Sequence, residues 1–212
     1  GGLVVDGRIY TGHGNAAAEI GHLRPGLTAD QPDHTVESLA SGWGVALAAQ
    51  EQLSEPVAHR LAPWIGERPS DPEALRQKLI EAEEAAEEHE ADLLERCDGQ
   101  IDRLTAHLVA QAAADGNEIA LDVLRRATTA LGWGIAQAIT LLSPEVVVVG
   151  GGVSLAGEAL FMGPLREAVE RYVFPPLQGS YRMVPAELGA EVVLHGGLVL
   201  AAAAMQGGGA RA

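Results

Sequence analysis

Two rhythms of apolar residues alternate along the chain. Short unbroken runs come first: Leu3-Val4-Val5 and Arg8-Ile9-Tyr10 flank Asp6-Gly7, which predicts a tight β-hairpin. Its continuous hydrophobicity predicts burial on both faces. The run Val146–Val149 predicts a strand that is also buried on both faces, beside a parallel neighbour. "RMVPAELG" (182–189) predicts another strand. Between these lie helical spacings. Val36, Leu39, Ala40 and Trp43 recur on one face behind Thr35, a residue suited to cap a helix N-terminus. Gly42 and Gly44 on that helix predict close packing against another backbone, since each is about 1 kcal/mol worse than Ala in a helix. Leu75, Leu79, Ala82, Ala86, Leu93 and Leu94 keep the same rhythm through an acidic stretch. One helix ends near Ala114 and Asp115-Gly116 turns the chain. A long helix then runs from about Asn117 to Leu142 and stops at Ser143-Pro144-Glu145, where proline cannot continue the hydrogen-bond ladder. Further helices are expected around Pro164–Val173 and in the small-residue tail "GGLVLAAAAM". Strands alternating with helices give an α/β class, without internal repeats.

Composition narrows the function. The 212 residues are 47% hydrophobic but only 4% aromatic, so the core is built from Ala, Val and Leu. A net charge of −15 argues against a face that grips phosphate backbones, so no nucleic acid is expected to bind this segment. Residues 67–103 hold 13 acidic against five basic residues, a net of −8, and read as a solvated amphipathic helix or helix pair. His59 ahead of this stretch, and His89 and Cys97 within it, read as surface or packing residues. Cys97 is the only cysteine, which rules out an intramolecular disulfide and a cysteine-rich metal cluster, and fits a cytoplasmic location. The longest apolar stretch, about Ala127 to Val149, is broken by Ser143, Pro144 and Glu145 and is not a membrane span.

Two stretches carry candidate chemistry. Gly150, Gly151 and Gly152 follow a buried strand; such a backbone either faces a phosphate or a purine closely, or is a tight turn. It is neither a dinucleotide fingerprint nor a Walker A loop. In "EIGH", Glu19 can accept two hydroxyl hydrogen bonds while ionised, and His22 can donate or accept. That pair suits polyol recognition, and equally suits a structural loop.

In order, "GGLVVDGRIYTG", "AAAEIGH", "VESLASG", "TAHLVAQAAADGNEIALDVL", "PEVVVVGGGVS", "PLREAVERYVFPP" and "RMVPAELG" resemble the ROK family (repressors, open reading frames and kinases) over most of the chain outside the acidic segment. The resemblance implies an actin-like ATPase (ribonuclease H-like) fold, of which residues 1–212 would be the large C-terminal lobe with an acidic helical insertion at 67–103. It implies an ATP-dependent sugar kinase acting on a hexose or N-acetylhexosamine. The alternative is the sugar-sensing part of a transcription regulator, and a third reading is a non-catalytic relic. By resemblance Glu19, His22 and Glu37 contact the sugar, Gly1 and Gly2 end a loop facing the nucleotide phosphates, and Gly150, Gly151 and Gly152 lie against the adenosine. ATP with Mg²⁺ and homo-oligomerisation are implied in the same way.

Two departures qualify the resemblance. The chain opens without methionine on "GGLVV", as if inside a strand, and the N-terminal lobe that would carry the family's general-base aspartate is expected to lie outside it. Asp6 sits in the hairpin turn and Asp33 in another loop, so this chain alone is expected not to turn over. The family also follows "EIGH" with a cysteine-rich zinc loop, whereas "LRPGLTADQPDHTVE" is shorter and has no cysteine. A substitute set of His22, Asp33 and His34 is chemically conceivable, because imidazole and carboxylate both bind Zn²⁺. The expectation is a metal-free loop.

Overall fold

The computed structural model describes residues 1–26, 31–54 and 71–207. His59 and the start of the acidic segment, residues 67–70, lie outside the described residues.

The hairpin forms as read. β1 (Leu3–Val5) pairs antiparallel with β2 (Arg8–Tyr10), and Asp6 and Gly7 both take positive φ (49° and 74°), the geometry a two-residue turn demands. Its expected double-sided burial is not found. Val4, Val5, Ile9 and Tyr10 are about half exposed or more, because among the described residues β1 and β2 pair only with each other.

The single helix expected after Thr35 is two. Thr35 caps α1 (Val36–Ala40) through a reciprocal box with Ser38, and the chain then breaks at extended Ser41 before α2 (Gly42–Ser54). The break explains Gly44. A Cβ there would lie 2.3 Å from the Ser38 carbonyl oxygen, so only glycine lets α2 start so close to α1. Gly42, by contrast, has only ordinary contact, and Trp43 points outward.

The acidic stretch is one helix, α3 (Pro72–Arg96), capped by Asp71 and closed by Cys97. Glu81, Glu83, Glu84, Glu87, Glu88 and Glu95 face solvent, Glu90, Asp92 and Arg96 are half-buried, and Ala86, Leu93 and Cys97 are buried. Thr105 caps α4 (Ala106–Ala114), and Asn117 caps α5 (Glu118–Leu142), which ends on left-handed Ser143. β3 (Val146–Val149) then pairs parallel with β4 (Arg182–Pro185), with α6 (Gly163–Tyr172) in the crossover and α7 (Val192–Gly207) after it. Here too one expectation is corrected. Of the four valines only Val149 is fully buried and Val148 is 63% exposed, because among the described residues β3 pairs with β4 alone.

α5 is the spine of the molecule. Its first half packs with α1, α2, α3 and α4 around Val45, Leu93, Val109 and Leu124. Its second half packs with α6 and β3 around Ile139, Phe161 and Leu165. Gly132 is where α6 crosses most closely: a Cβ there would sit 2.5 Å from the Ala168 Cβ and 3.1 Å from the Val169 nitrogen. Alanine would gain up to about 1 kcal/mol of helix propensity, but both obstacles belong to packed helix and cannot swing away. Gly132→Ala is therefore expected to destabilise by about 1–3 kcal/mol, read as a fall in thermal midpoint of roughly 3–10 °C.

Candidate functional site

The segment after β2 brings its polar groups to α1. Glu19 precedes a 3-10 turn, Ile20–His22, in which the His22 amide donates to the Glu19 carbonyl (3.1 Å). The Val36 amide then donates to the Leu23 carbonyl at 2.8 Å, fastening this turn to the start of α1. Gly21 makes the approach feasible, since a Cβ there would lie 3.3 Å from the Glu37 Cβ. As a result His22 Nδ1 stands 3.9 Å from Glu37 Oε2, and the Gly1 nitrogen stands 3.7 Å from Glu19 Oε2. Both carboxylates are about half exposed, so they are hydrated and available to a ligand.

Gly1, Gly2, Glu19, Glu37 and Gly150 line one cavity of about 540 Å³. Among the described residues the carboxylates that line it are Glu19 and Glu37. Its far wall is the apolar face of α5, with Leu131, Ile135 and Ile139, and the backbone of β3. His22, Gly151 and Gly152 are not among the lining residues. The cavity thus gathers Glu19, Glu37, Gly1 and Gly2, and reaches the glycine turn only at Gly150, its first residue.

That turn is built for absent side chains. A Cβ on Gly150 would lie 2.9 Å from the Ala186 Cβ, where the ends of β3 and β4 are held by the Ala186 amide donating to the Val149 carbonyl (2.8 Å). Gly151 has φ +109°, a conformation L-residues avoid, and Ser154 Oγ donates to its carbonyl at 2.7 Å. Gly151 and Gly152 meet nothing within 4 Å on the side where a Cβ would stand, leaving an open flat backbone. This arrangement fits a purine or ribose laid along it.

Among the described residues no three His, Cys, Asp or Glu side chains gather as metal ligands. His22 turns toward Glu37, Asp33 gives its carbonyl to the Thr35 amide, and Cys97 is buried at the end of α3. Residues 27–30 of the loop between Leu23 and Thr35 lie outside the described residues.

Sequence reasoning missed the two walls of the cavity that carry no chemistry. The α5 residues signalled only an ordinary apolar helix face. Ser41, which also lines the cavity, lies at a helix break that its own hydroxyl caps by accepting from the Gly44 amide (3.1 Å).

Two carboxylates beside a Gly-rich edge, with a glycine turn after the first strand of a parallel β-α-β unit, accompany an actin-like ATPase fold. The chain belongs to the ROK family, whose profile matches residues 1–204. It is 29% identical over 188 residues to a glucokinase of Thermotoga maritima, covering 89% of this chain and 50% of that protein. It superposes with a TM-score of 0.64 on the ROK family glucokinase of Streptomyces griseus solved with glucose and AMPPNP, at 25% identity, covering 90% of this chain and 53% of that one. A xylose repressor of Caldicellulosiruptor bescii is 20% identical over 177 residues, 82% of this chain and 36% of the repressor. The chain spans about half the length of the glucokinases it matches. Among the described residues no helix is long and apolar enough to cross a membrane.

Proposed function

We propose that this chain is the sugar- and nucleotide-binding C-terminal lobe of an ATP-dependent hexose or N-acetylhexosamine kinase, with residues 67–103 an acidic helical insertion in it. The carrying observation is that Glu19 and Glu37, from separate segments, share one cavity with Gly1, Gly2 and Gly150. In this reading the two carboxylates accept hydrogen bonds from sugar hydroxyls, and His22, oriented by Glu37, contacts a third. The N–H groups of Gly1 and Gly2 meet the phosphates, where a side chain would stand in the way. Gly150, Gly151 and Gly152 carry the adenosine. ATP with Mg²⁺ supplies the transferable phosphoryl group. The proton of the attacking hydroxyl needs a base, and the cavity's own carboxylates are assigned to holding the sugar. The chain alone is therefore expected to bind without turnover, because phosphoryl transfer needs positioning and charge stabilisation from both sides of the cleft.

The test joins the chain to the N-terminal half of the Thermotoga maritima glucokinase and measures ADP release over a panel of hexoses and N-acetylhexosamines. Phosphorylation of at least one sugar is expected from the chimera and none from the isolated chain. The xylose repressor relative favours a second reading, a sugar sensor in a regulator. A chimera that binds a sugar by calorimetry yet releases no ADP with any of them would decide for the sensor.

A further inference from the structure

A second cavity, of about 370 Å³, lies in the groove between α5 and α6 and shares no lining residue with the carboxylate cavity. Its walls are of two kinds. Leu121, Leu124 and Leu160 are apolar and belong to, or pack on, the core around the first half of α5. Arg125, Glu167 and Arg171 bring charge to its mouth, where all three are exposed. Asp122 already engages Arg125 in an ion pair. Glu167 and Arg171 stand one turn apart on α6, the spacing and order at which a carboxylate and a cation ordinarily pair. Among the described residues neither of them makes an ion pair, so the cavity has one uncommitted charge of each sign.

The backbone adds an acceptor. Glu158–Met162 form a π-turn leading into α6, a local irregularity that recurs at binding sites. Its Gly163 amide donates to the Glu158 carbonyl, and Pro164 has no N–H to give. The Ala159 carbonyl, on the cavity wall, therefore lacks both of its helical donors.

We propose that this cavity binds a small zwitterion with an aliphatic body, an α-amino acid of leucine's kind. Its carboxylate meets Arg171, its ammonium group meets Glu167 and the Ala159 carbonyl, and its side chain lies on Leu121, Leu124 and Leu160. Charge selects this class. A purely anionic amphiphile would bring its carboxylate against Glu167, and a purely cationic one would bring its ammonium against Arg171. Only a ligand carrying both signs satisfies both walls, and the volume is in the range of small-molecule sites. The proposal stands whether or not the other cavity holds a sugar.

The test titrates L-leucine into the full chain by calorimetry and follows the backbone amide NMR signals of Thr129, Leu160 and Arg171. Saturable binding with shifts at all three is expected. Glycine, 4-methylpentanoate and 3-methylbutylamine each lack one of the three recognised parts, and each is expected to bind at least about tenfold more weakly. Arg171→Met and Glu167→Gln should each weaken leucine by a similar factor. Both side chains are exposed, so neither variant should move the thermal midpoint. No saturable binding up to about 10 mM leucine, a dissociation constant that would leave less than about 3 kcal/mol of affinity, would overturn the proposal. So would 4-methylpentanoate binding as tightly as leucine, or either variant binding leucine like the parent. Shifts at these amides that appear without leucine as protein concentration rises would overturn it too, giving the groove to a second copy.

Discussion

Asn117→Ala is expected to lower the unfolding free energy of the chain by about 2–4 kcal/mol. The side chain is 97% buried by its 3% exposure and makes three hydrogen bonds with different purposes. Its Oδ1 accepts from the Ala120 amide (3.1 Å), capping α5. Its Nδ2 donates to the His89 carbonyl and to Asp92 Oδ2, both at 2.8 Å, which fastens the acidic helix α3 to the spine. Losing the cap is worth about 1 kcal/mol. Losing the two donors adds about 1–3 kcal/mol, because acceptors in a part-buried setting are left short of a partner. Arg96 partly holds the arrangement, donating to Asp92 Oδ1 and Asp115 Oδ2 at 2.8 Å each. The bond to Asp115 is the main reason its guanidinium pKa is raised. Asn117→Ser keeps a cap acceptor but cannot bridge, so it should recover only the capping share. Urea unfolding of the three proteins checks the order; an alanine variant within about 0.5 kcal/mol of the parent, the range of a surface change, would mean that Asn117 does not join the two helices.

The second large effect falls on the site. In the chimera described above, Glu37→Ala is expected to reduce kcat/KM for the sugar by about 10²–10³-fold, since hydrogen bonds to a charged group contribute about 1.5–3 kcal/mol each and a sugar carboxylate accepts up to two. Glu37→Gln should fall between, because it keeps one acceptor without the charge. Folding should not confuse the result. The α1 cap is made by Thr35 and Ser38, and the Glu37 side chain is half exposed, so the thermal midpoint should hardly move. Catalysis and sugar affinity within threefold of the parent would remove Glu37 from the sugar site.

Much of this was legible because it is local. Turn chemistry at Asp6-Gly7, the caps at Thr35 and Asn117 and the stop at Ser143-Pro144 depend on a few neighbouring residues, and each lies where the sequence puts it. Burial was less legible because it depends on partners distant in sequence. The valines of β1 and β3 have the hydrophobicity of buried strands, but pattern alone could not say that each would find one neighbour. The break at Ser41 was hidden for another reason. A helical rhythm of Val36, Leu39, Ala40 and Trp43 survives a kink, and only the closeness of Gly44 to the Ser38 carbonyl reveals it. Of the candidate residues that motif order suggests, Glu19, Glu37, Gly1, Gly2 and Gly150 line one cavity, whereas nothing in the sequence distinguishes the α5 face that walls it.

One short piece of α5 has a consequence for accuracy. Leu131 packs into both halves of the core, Gly132 receives α6, and Gly134 lies against Val36, where a Cβ would stand 3.1 Å from its Cγ2. Val36 immediately precedes Glu37, and Val153, just past the glycine turn, packs against the same two clusters as Leu131. The carboxylate is thus located, through Val36, from about one helical turn of this rod, whereas the segment after the glycine turn packs chiefly against α4. When the rod shifts the carboxylate shifts with it, so the spacing between carboxylate and turn is set by how α4 and α5 pack on each other.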